Sequence, residues 1–136
     1  MDFATSMLVA ASGMRAQSTR MRTIAENVAN ASSTATTPGG DPYRRKVASM
    51  TGTFDRELNA TMVQSGTPVP DMSDFRNQYD PGNPLADSKG YVKFPNVNPL
   101  VEIMDMREAQ RSYEADLNAL DAAKTMLSRT VDLLRQ

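Results

Sequence analysis

Apolar side chains recur at alternating steps of four and three residues along the N-terminal part of the chain. This spacing places them on one face of an α-helix, as in a coiled coil. We therefore predict one helix from residue 2 to about residue 31, ended by the short polar side chains of residues 30–33. The predicted N-terminal seam, in which Gln17 is the single polar member, consists of Phe3, Met7, Ala10, Met14, Gln17, Met21, Ile24, Val28 and Ala31.

The C-terminal part of the chain shows the same spacing from about residue 100 to residue 134. Asn98 followed by Pro99 predicts the start of this helix, because a short polar cap before a proline at the first helical position is a common N-terminus. Its early turns are acidic and its late turns contain arginines, as the helix dipole favours. The predicted C-terminal seam consists of Ile103, Met106, Gln110, Tyr113, Leu117, Leu120, Lys124, Leu127, Val131 and Leu134.

The middle of the chain has a different character. All eight prolines lie between Pro38 and Pro99, which excludes a long helix there. Valine, threonine and aromatic side chains predict short strands, the first of them as one arm of a hairpin. The strand candidates are residues 43–54, 69–72 and 91–94, and the turn candidates are residues 80–84 and 88–90. An alternative to part of the hairpin is a short helix, since Phe54, Leu58 and Met62 are four residues apart.

These elements predict a mainly α fold, α+β overall. Long N- and C-terminal helices pair as a coiled coil, and the middle forms a small β-rich, loop-rich lobe. The predicted domain organisation is an N-terminal helix over residues 1–33, a Pro/Gly-rich middle lobe over residues 34–98 and a C-terminal helix over residues 99–136. The two helices together would form one discontinuous core domain.

The predicted helices are long for so short a chain. A helix of about 35 residues is roughly 50 Å long, whereas a compact chain of this size has a radius of gyration of about 14 Å. A lone pair of helices would leave apolar flanks in water, including those around Met7, Met14 and Met21. The sequence therefore predicts a self-assembling or partner-dependent protein.

Composition excludes several kinds of chemistry. The 136 residues include neither cysteine nor histidine, so disulfides, thiolate nucleophiles, imidazole ligands and Ser-His-Asp catalysis are ruled out. A net charge of −1 argues against bulk attraction to nucleic acid or an anionic membrane. No stretch approaches the apolar length of a membrane span. The N-terminal residues lack the features of a cleaved signal peptide, so we expect none.

Short motifs do not change this picture. Asn30 and Asn59 match glycosylation sequons, but matches of this length arise by chance. Residues 44–46 form a basic run that favours a solvated strand entry or a subunit contact over a phosphate site. Asp80 and Asp87 lack the ligand pattern of a calcium loop and are best explained as turn residues. The methionines recur at heptad spacing, which favours helix packing over a promiscuous methionine-rich binding groove.

Several stretches resemble the bacterial flagellar rod and hook axial proteins. Residues 11–17 and 24–31 resemble the N-terminal signature of this family. Within the family, the chain is most similar to proximal-rod proteins. The stretches that carry this likeness are residues 39–46, 79–84, 90–98 and 104–126. The least similar stretch is residues 51–74.

The resemblance implies a non-enzymatic subunit of the flagellar basal-body rod, without cofactor, metal or nucleic acid and without direct membrane insertion. Its terminal helices would pair in the inner tube of a helical axial assembly that crosses the periplasm and transmits torque. Implied partners are copies of the chain, other rod subunits, the rod-base adaptor and the flagellar type III export apparatus. Two alternatives remain at this point: a soluble coiled-coil adaptor or chaperone of an export system, and a carboxylate enzyme using Asp80 or Asp87.

The seams and the family signature together predict the residues that carry assembly and helix packing. Gly13, an isolated glycine that costs a helix about 1 kcal/mol relative to alanine, is predicted to admit a close neighbouring backbone. The predicted set is Met7, Gly13, Met14, Gln17, Met21, Ile24, Asn27, Val28, Asn30, Met106, Tyr113, Leu117, Leu120, Leu127, Val131 and Leu134.

Overall fold

The computed structural model describes residues 2–135 and contains two long helices separated by short strands. The elements are α1 (Phe3–Ala29), β1 (Lys46–Val47), β2 (Met50–Asp55), β3 (Ala60–Ser65), β4 (Val69–Pro70), β5 (Arg76–Tyr79), β6 (Tyr91–Phe94) and α2 (Pro99–Leu134). The helices pack against each other, and the strands lie in the middle of the sequence. Within residues 2–135, neither helix has the length and apolar character that a membrane crossing requires.

Both helices begin and end close to their predicted limits. The Asp2 carboxylate accepts a hydrogen bond from the Thr5 backbone N–H at 2.7 Å, which caps α1 and lowers the pKa of Asp2. Asn98 caps α2 in the same way, through the Leu100 N–H at 3.1 Å, with Pro99 as the first helical residue. The predicted helix start at Asn98–Pro99 is therefore confirmed.

The strands form three antiparallel two-stranded ribbons, β1–β4, β2–β3 and β5–β6. The predicted strand at residues 91–94 is confirmed as β6, and residues 43–54 supply β1 and most of β2. The sequence did not predict β3 or β5. Their side chains are largely polar and leave little apolar alternation to detect; β3 is partly exposed and β5 is exposed along its whole length.

The alternative of a helix through Phe54, Leu58 and Met62 is wrong, because a hairpin turn interrupts it. The Asp55 carboxylate accepts hydrogen bonds from the Glu57 and Leu58 N–H groups, at 2.9 and 3.1 Å. Asn59 then adopts a φ of 48°, in the left-handed region that asparagine tolerates. The Asp55 side chain thus accepts hydrogen bonds from backbone N–H groups, and these bonds stabilise a turn instead of a helix.

The chain separates into two compact units. Unit 1 comprises residues 1–21, 48–67 and 107–136, and unit 2 comprises residues 22–47 and 68–106. The segments predicted from the sequence therefore contribute to both units.

In unit 1, α1 and α2 run antiparallel. Gly13 lies against Asp116, and Arg20 forms an ion pair with Glu108 at 3.5 Å. The β2–β3 hairpin is fixed to α1 at Ser12, whose hydroxyl oxygen accepts a hydrogen bond from the Val63 N–H at 3.0 Å. The same hydroxyl donates a hydrogen bond to the Val9 carbonyl at 2.7 Å, so the Ser12 hydroxyl acts both as a donor and as an acceptor.

Unit 2 has a small apolar core made of residues that are distant in sequence. Its buried apolar side chains are Ile24, Ala31, Val92, Pro95 and Val97. The β5–β6 ribbon ends in a turn where the Asp87 carboxylate accepts hydrogen bonds from the Lys89 and Tyr91 N–H groups. These bonds lower the pKa of Asp87, the Tyr91 N–H contributing most, and they confirm Asp87 as a turn residue.

Gly90 provides a test of this turn. Its φ is +85°, and a β-carbon there would lie 3.0 Å from the Tyr79 ring and 3.1 Å from Pro81. We expect Gly90→Ala to lower the free energy of unfolding by about 1–2 kcal/mol, the cost of a left-handed residue that is not glycine. Urea unfolding followed by tyrosine fluorescence measures the change.

Gly82→Ala is the matched control. Gly82 lies in the same loop, but the nearest atom to its added β-carbon is 3.9 Å away, and its φ is not in the left-handed region. We expect its unfolding midpoint to equal or exceed that of the unmodified chain. Equal losses in the two variants would contradict the role assigned to Gly90.

Candidate assembly surfaces

The structure buries only a few of the residues predicted to carry assembly. Gly13, Ile24 and Asn27 are buried. The half-buried members are Met7, Met14, Gln17, Met21, Asn30, Met106, Tyr113 and Leu120. The exposed members are Val28, Leu117, Leu127, Val131 and Leu134. Most of the predicted set is therefore available, at least in part, to a partner.

A different line of residues is buried along the helices of unit 1. In α1 the buried side chains are small or polar: Thr5, Ala10, Ser12 and Ala16, together with Gly13. In α2 they are Ala109 and Ala123. Ser12 and Ala16 line a surface cavity with the β2–β3 hairpin, whereas Ala10 and Gly13 line the groove between α1 and α2.

The members of the predicted N-terminal seam differ in burial. Met7, Met14 and Met21 retain partial exposure, whereas Ala10 is buried and lines the groove between α1 and α2 together with Gln17. The coiled-coil pairing of the two seams stays a prediction. Apolar side chains left beside an intrachain contact are typical of surfaces that pack on another molecule.

The C-terminal end of α2 is the most exposed apolar surface. We call residues 124–134 the α2 tail, since Ala123 is the last buried residue of the helix. Leu127, Val131 and Leu134 are 41%, 46% and 83% exposed. Because these residues are spaced by four and three, they form one apolar stripe on the helix, and the other residues of unit 1 leave this stripe exposed.

A groove of about 530 Å³ lies between α1, α2 and the β2–β3 hairpin in unit 1. We call it the interhelix groove. Its lining combines small and apolar residues with two hydrogen-bond acceptors, Gln17 and Asp116. The lining residues are Ser6, Val9, Ala10, Gly13, Gln17, Met50, Val63, Ser112, Ala115, Asp116 and Ala119.

Gly13 has an intrachain role in this groove. A β-carbon added at Gly13 would collide with the Asp116 carboxylate, so a larger residue at this position requires the Asp116 side chain of α2 to move. The neighbouring backbone predicted at Gly13 stays a prediction. The structure supplies a reason for the glycine that does not depend on it.

Asp116 and Gln17 present unsatisfied acceptors to the groove. Burial raises the pKa of Asp116, and no donor within residues 2–135 contacts its carboxylate. The side-chain oxygen of Gln17 is buried and has no hydrogen-bond partner in that part of the chain. A buried acceptor without a donor is costly, and in the described part of the chain this applies to Gln17; the Asp116 carboxylate is only half-buried.

Unit 2 contains a polar cluster that the sequence did not predict. We call Asn27, Tyr43, Arg45, Lys46 and Glu102 the Glu102 cluster. Glu102 is fully buried and forms an ion pair with Arg45 Nε. Asn27 Nδ2 donates to Glu102 Oε2 at 3.0 Å and to the Lys46 carbonyl at 2.8 Å. Its Oδ1 accepts from the Lys46 N–H and the Tyr43 hydroxyl.

This cluster ties α1, the segment before β1 and the first turns of α2 to one another within unit 2. Arg45 also pairs with Asp71 at 3.3 Å, and its backbone N–H donates to Asn96 Oδ1 at 2.8 Å. Burial raises the pKa of Tyr43 to about 12, with the carboxylates of Glu26 and Glu102 adding to the effect. Both the nitrogen and the oxygen of the Asn27 side-chain amide make two hydrogen bonds, which explains why a polar residue can be buried on α1.

The expectation that residues 44–46 are solvated is corrected for Arg45. Its side chain is 21% exposed and its carboxylate partner Glu102 is 1% exposed, because a buried charge requires a partner. Lys46 does begin a strand, as expected. A basic run gives no signal of a buried partner more than fifty residues away, and Glu102 reads in the sequence as an ordinary acidic residue of a first helical turn.

No grouping of acidic side chains within residues 2–135 has the arrangement that holds a metal ion. Asp80 and Asp87 lie in the turn that joins β5 to β6, and the groove described above contains one carboxylate, Asp116.

The Glu102 cluster can be tested by removing its cation. Arg45→Met leaves Glu102 buried without a counter-charge, and we expect it to destabilise the chain by about 3–5 kcal/mol. Arg22→Met is the control, since Arg22 is exposed on α1 in the same unit, and we expect a change within about 0.5 kcal/mol. Urea unfolding at constant pH measures both, and equal effects would contradict the cluster's role.

Asp116 gives a pH-dependent prediction for the free chain. Its pKa is raised above the ordinary 3.8, so folding favours its protonated form. The contribution of Asp116 to the free energy of unfolding is fully present below its pKa in the unfolded chain, and it is lost as the pH rises through its pKa in the folded chain. We therefore expect Asp116→Asn to raise the free energy of unfolding at neutral pH and to remove this part of the pH dependence.

Asp121→Asn is the control for Asp116, because Asp121 is an exposed carboxylate on the same helix. The measurement is urea unfolding of the three proteins between pH 3 and pH 8, a range chosen to span ordinary carboxyl titration. A loss of stability at neutral pH in Asp116→Asn, relative to this control, would contradict the unsatisfied state assigned to Asp116.

Comparison with known proteins identifies the family. A family model described as "Flagella basal body rod protein" matches residues 7–35, and another described as "Flagellar basal body rod FlgEFG protein C-terminal" matches residues 88–133. These matches cover much of α1 and nearly all of α2.

Full-length relatives agree with the family models. A protein named "Flagellar basal-body rod protein FlgC" from Agrobacterium fabrum is 47% identical over 127 residues, covering 93% of this chain and 91% of that one. The proteins of the same name from Aquifex aeolicus and Bacillus subtilis are 37% and 38% identical and cover 97% and 94% of this chain, and 97% and 95% of their own. The chain belongs to the FlgC family of flagellar basal-body rod proteins.

Proposed function

We propose that this chain is a structural, non-enzymatic subunit of the flagellar basal-body rod. It assembles with copies of itself and with other rod proteins into a helical axial shaft that transmits torque across the periplasm for motility. Membership of the FlgC family supports the rod assignment. The position in the proximal part of the rod is part of the same proposal.

The observation that carries the proposal is the exposed apolar stripe of the α2 tail. Leu127, Val131 and Leu134 present apolar area that a free chain leaves in water. Burying such area stabilises association by roughly 25 cal/mol per Å² removed from water. A contact that joins the end of one copy to a different surface of the next does not close on itself, and it propagates as a filament.

In the assembled rod, we place the seams in contacts between chains, with coiled-coil packing. Within one chain, the buried line consists of small residues, so the methionines of the N-terminal seam remain for other helices. Met7, Met14 and Met21 are flexible side chains that adapt to irregular neighbours. The half-buried and exposed members of the predicted assembly set are thus assigned to packing between subunits.

The remaining proposed partners are those that export a rod subunit and join it to the base of the rod. The rod-base adaptor and the flagellar type III export apparatus would contact the chain before or during assembly, without cleavage of a signal peptide. A chain without cysteine can pass unfolded into an oxidising compartment without forming disulfides. The absence supports this route and does not require it.

Deletion of the gene that encodes the chain tests the proposal. We expect cells without external filaments in which the export apparatus still forms, because the rod subunit acts after the exporter. A tagged copy should restore swimming and should be recovered in purified basal bodies. Recovery of a functional tagged copy from the cytosol alone would contradict the rod assignment and favour an adaptor or chaperone.

A further inference from the structure

One edge of the β2–β3 hairpin in unit 1 is uncovered. The outer edge of β3 lies against α1, where Ser12 accepts the hydrogen bond from the Val63 N–H. On β2, by contrast, every residue from Met50 to Phe54 is exposed. A free strand edge presents unpaired backbone N–H and C=O groups, so it can accept a further strand.

The hydrogen bonds of the hairpin show which backbone groups of β2 point outward. In an antiparallel ladder, every second residue bonds to the partner strand and the residues between them point away from it. The Gly66 N–H donates to the Ser49 carbonyl at 2.9 Å, and alternate residues of β2 bond to β3 in the same way. The N–H and C=O groups of Met50, Gly52 and Phe54 therefore point away from β3. The side-chain hydrogen bonds of the hairpin within residues 2–135 use other groups.

The β2 edge lacks the features that keep many strand edges unpaired. Residues 50–54 contain neither a charged side chain nor a proline. The register with β3 continues over all six residues of β2 without a bulge. Met50 and Phe54 are 37% and 56% exposed, so apolar area accompanies the free backbone groups.

The β2 edge is complementary to a second copy of itself. Residues 50–54 read apolar, threonine, glycine, threonine, apolar, so the pattern is symmetric about Gly52. When two copies run antiparallel with Gly52 opposite Gly52, Met50 lies opposite Phe54, and Thr51 lies opposite Thr53. Thioether–aromatic contacts and cross-strand threonine pairs are both favourable.

We propose that two copies of the free chain pair through their β2 edges, in antiparallel register centred on Gly52, and form a four-stranded sheet across a two-fold axis. The outward backbone groups of residues 50, 52 and 54 supply the hydrogen bonds. In this register Asp55 lies opposite Ser49 of the other copy, so no like charges meet.

The two-fold geometry gives this contact a place outside the shaft. A two-fold contact uses the same surface on both copies and closes at the dimer, whereas a shaft grows through contacts between two different surfaces. The β2 dimer is therefore a state of the free chain, and it must separate before assembly.

Charge variants of the purified chain test the contact. Light scattering after gel filtration should show a monomer–dimer equilibrium of the unmodified chain that shifts toward the dimer with concentration. Thr51→Lys combined with Thr53→Lys places lysines opposite one another, so we expect only monomer. Thr51→Glu combined with Thr53→Glu should also give only monomer. An equimolar mixture of these lysine and glutamate chains should form dimers again, because each lysine then lies opposite a glutamate.

Thr61→Lys combined with Gln64→Lys is the matched control, since it adds the same charge to exposed positions on β3 of the same hairpin. This variant should dimerise as the unmodified chain does. An unmodified chain that stays monomeric at every concentration overturns self-pairing and leaves the edge to a strand of another protein. A dimer that persists in both charged variants, or a mixture that stays monomeric, also overturns the proposal.

Disulfide formation tests the register. Because the chain lacks cysteine, Thr51→Cys and Thr53→Cys can be oxidised separately and as a mixture of the two single variants. Opposite residues of a non-bonded pair have Cα atoms about 4.5 Å apart, which suits a disulfide. In either variant alone the two cysteines are about 7–8 Å apart on a diagonal. We expect rapid crosslinking only in the mixture, and equal rates in all three samples would overturn the register. Recovery in basal bodies tests the rod assignment separately.

Discussion

The close approach of α1 to α2 at Gly13 is the constraint on which the rest of unit 1 depends. Gly13 lacks the β-carbon that would displace the Asp116 carboxylate, and it lines the groove between the two helices with Ala10. The methionines of α1 keep partial exposure, and the leucines at the end of α2 are exposed. They remain on the outside, which makes a chain with an ordinary composition dependent on neighbours.

Unit 2 is held in a different way, by hydrogen bonds and charge. Glu102 is buried with Arg45 and Asn27, and Arg45 and Asn96 extend the network to Asp71. Buried charges contribute little net stability when they are paired but are costly when they are not. The network therefore makes the middle segment dependent on both helices: β1 cannot reach its place without a partner for Arg45.

The sequence predicted the helices well because their signals are local. The caps at Asp2 and Asn98 and the confinement of proline to the middle require no knowledge of distant residues. Strand β6 was predicted for a similar reason, as an aromatic and β-branched run before a proline. Strands β3 and β5 could not be predicted, since their pairing depends on the turns at Asn59 and Gly90, and since β3 is only partly buried and β5 is fully exposed.

For the candidate surfaces, the sequence predicted only the helical spacing of apolar residues and not the partners that these residues contact. Periodicity identified apolar residues such as Leu127 and Val131, but it could not separate a contact within the chain from a contact between chains. That distinction depends on the folded structure, in which Ala16 and Ala109 are buried while Leu127 and Val131 are exposed. The Glu102 cluster was missed because its partners are brought together only by the fold.

The central claim is that the apolar stripe of the α2 tail is uncovered in the free chain and covered in the rod. Leu127→Cys in the cysteine-free chain allows a direct measurement of its rate of reaction with a maleimide. The account predicts rapid reaction in the free chain, strong protection in purified basal bodies and renewed reaction after denaturation. Equal reaction rates in the free chain and in intact basal bodies would contradict it.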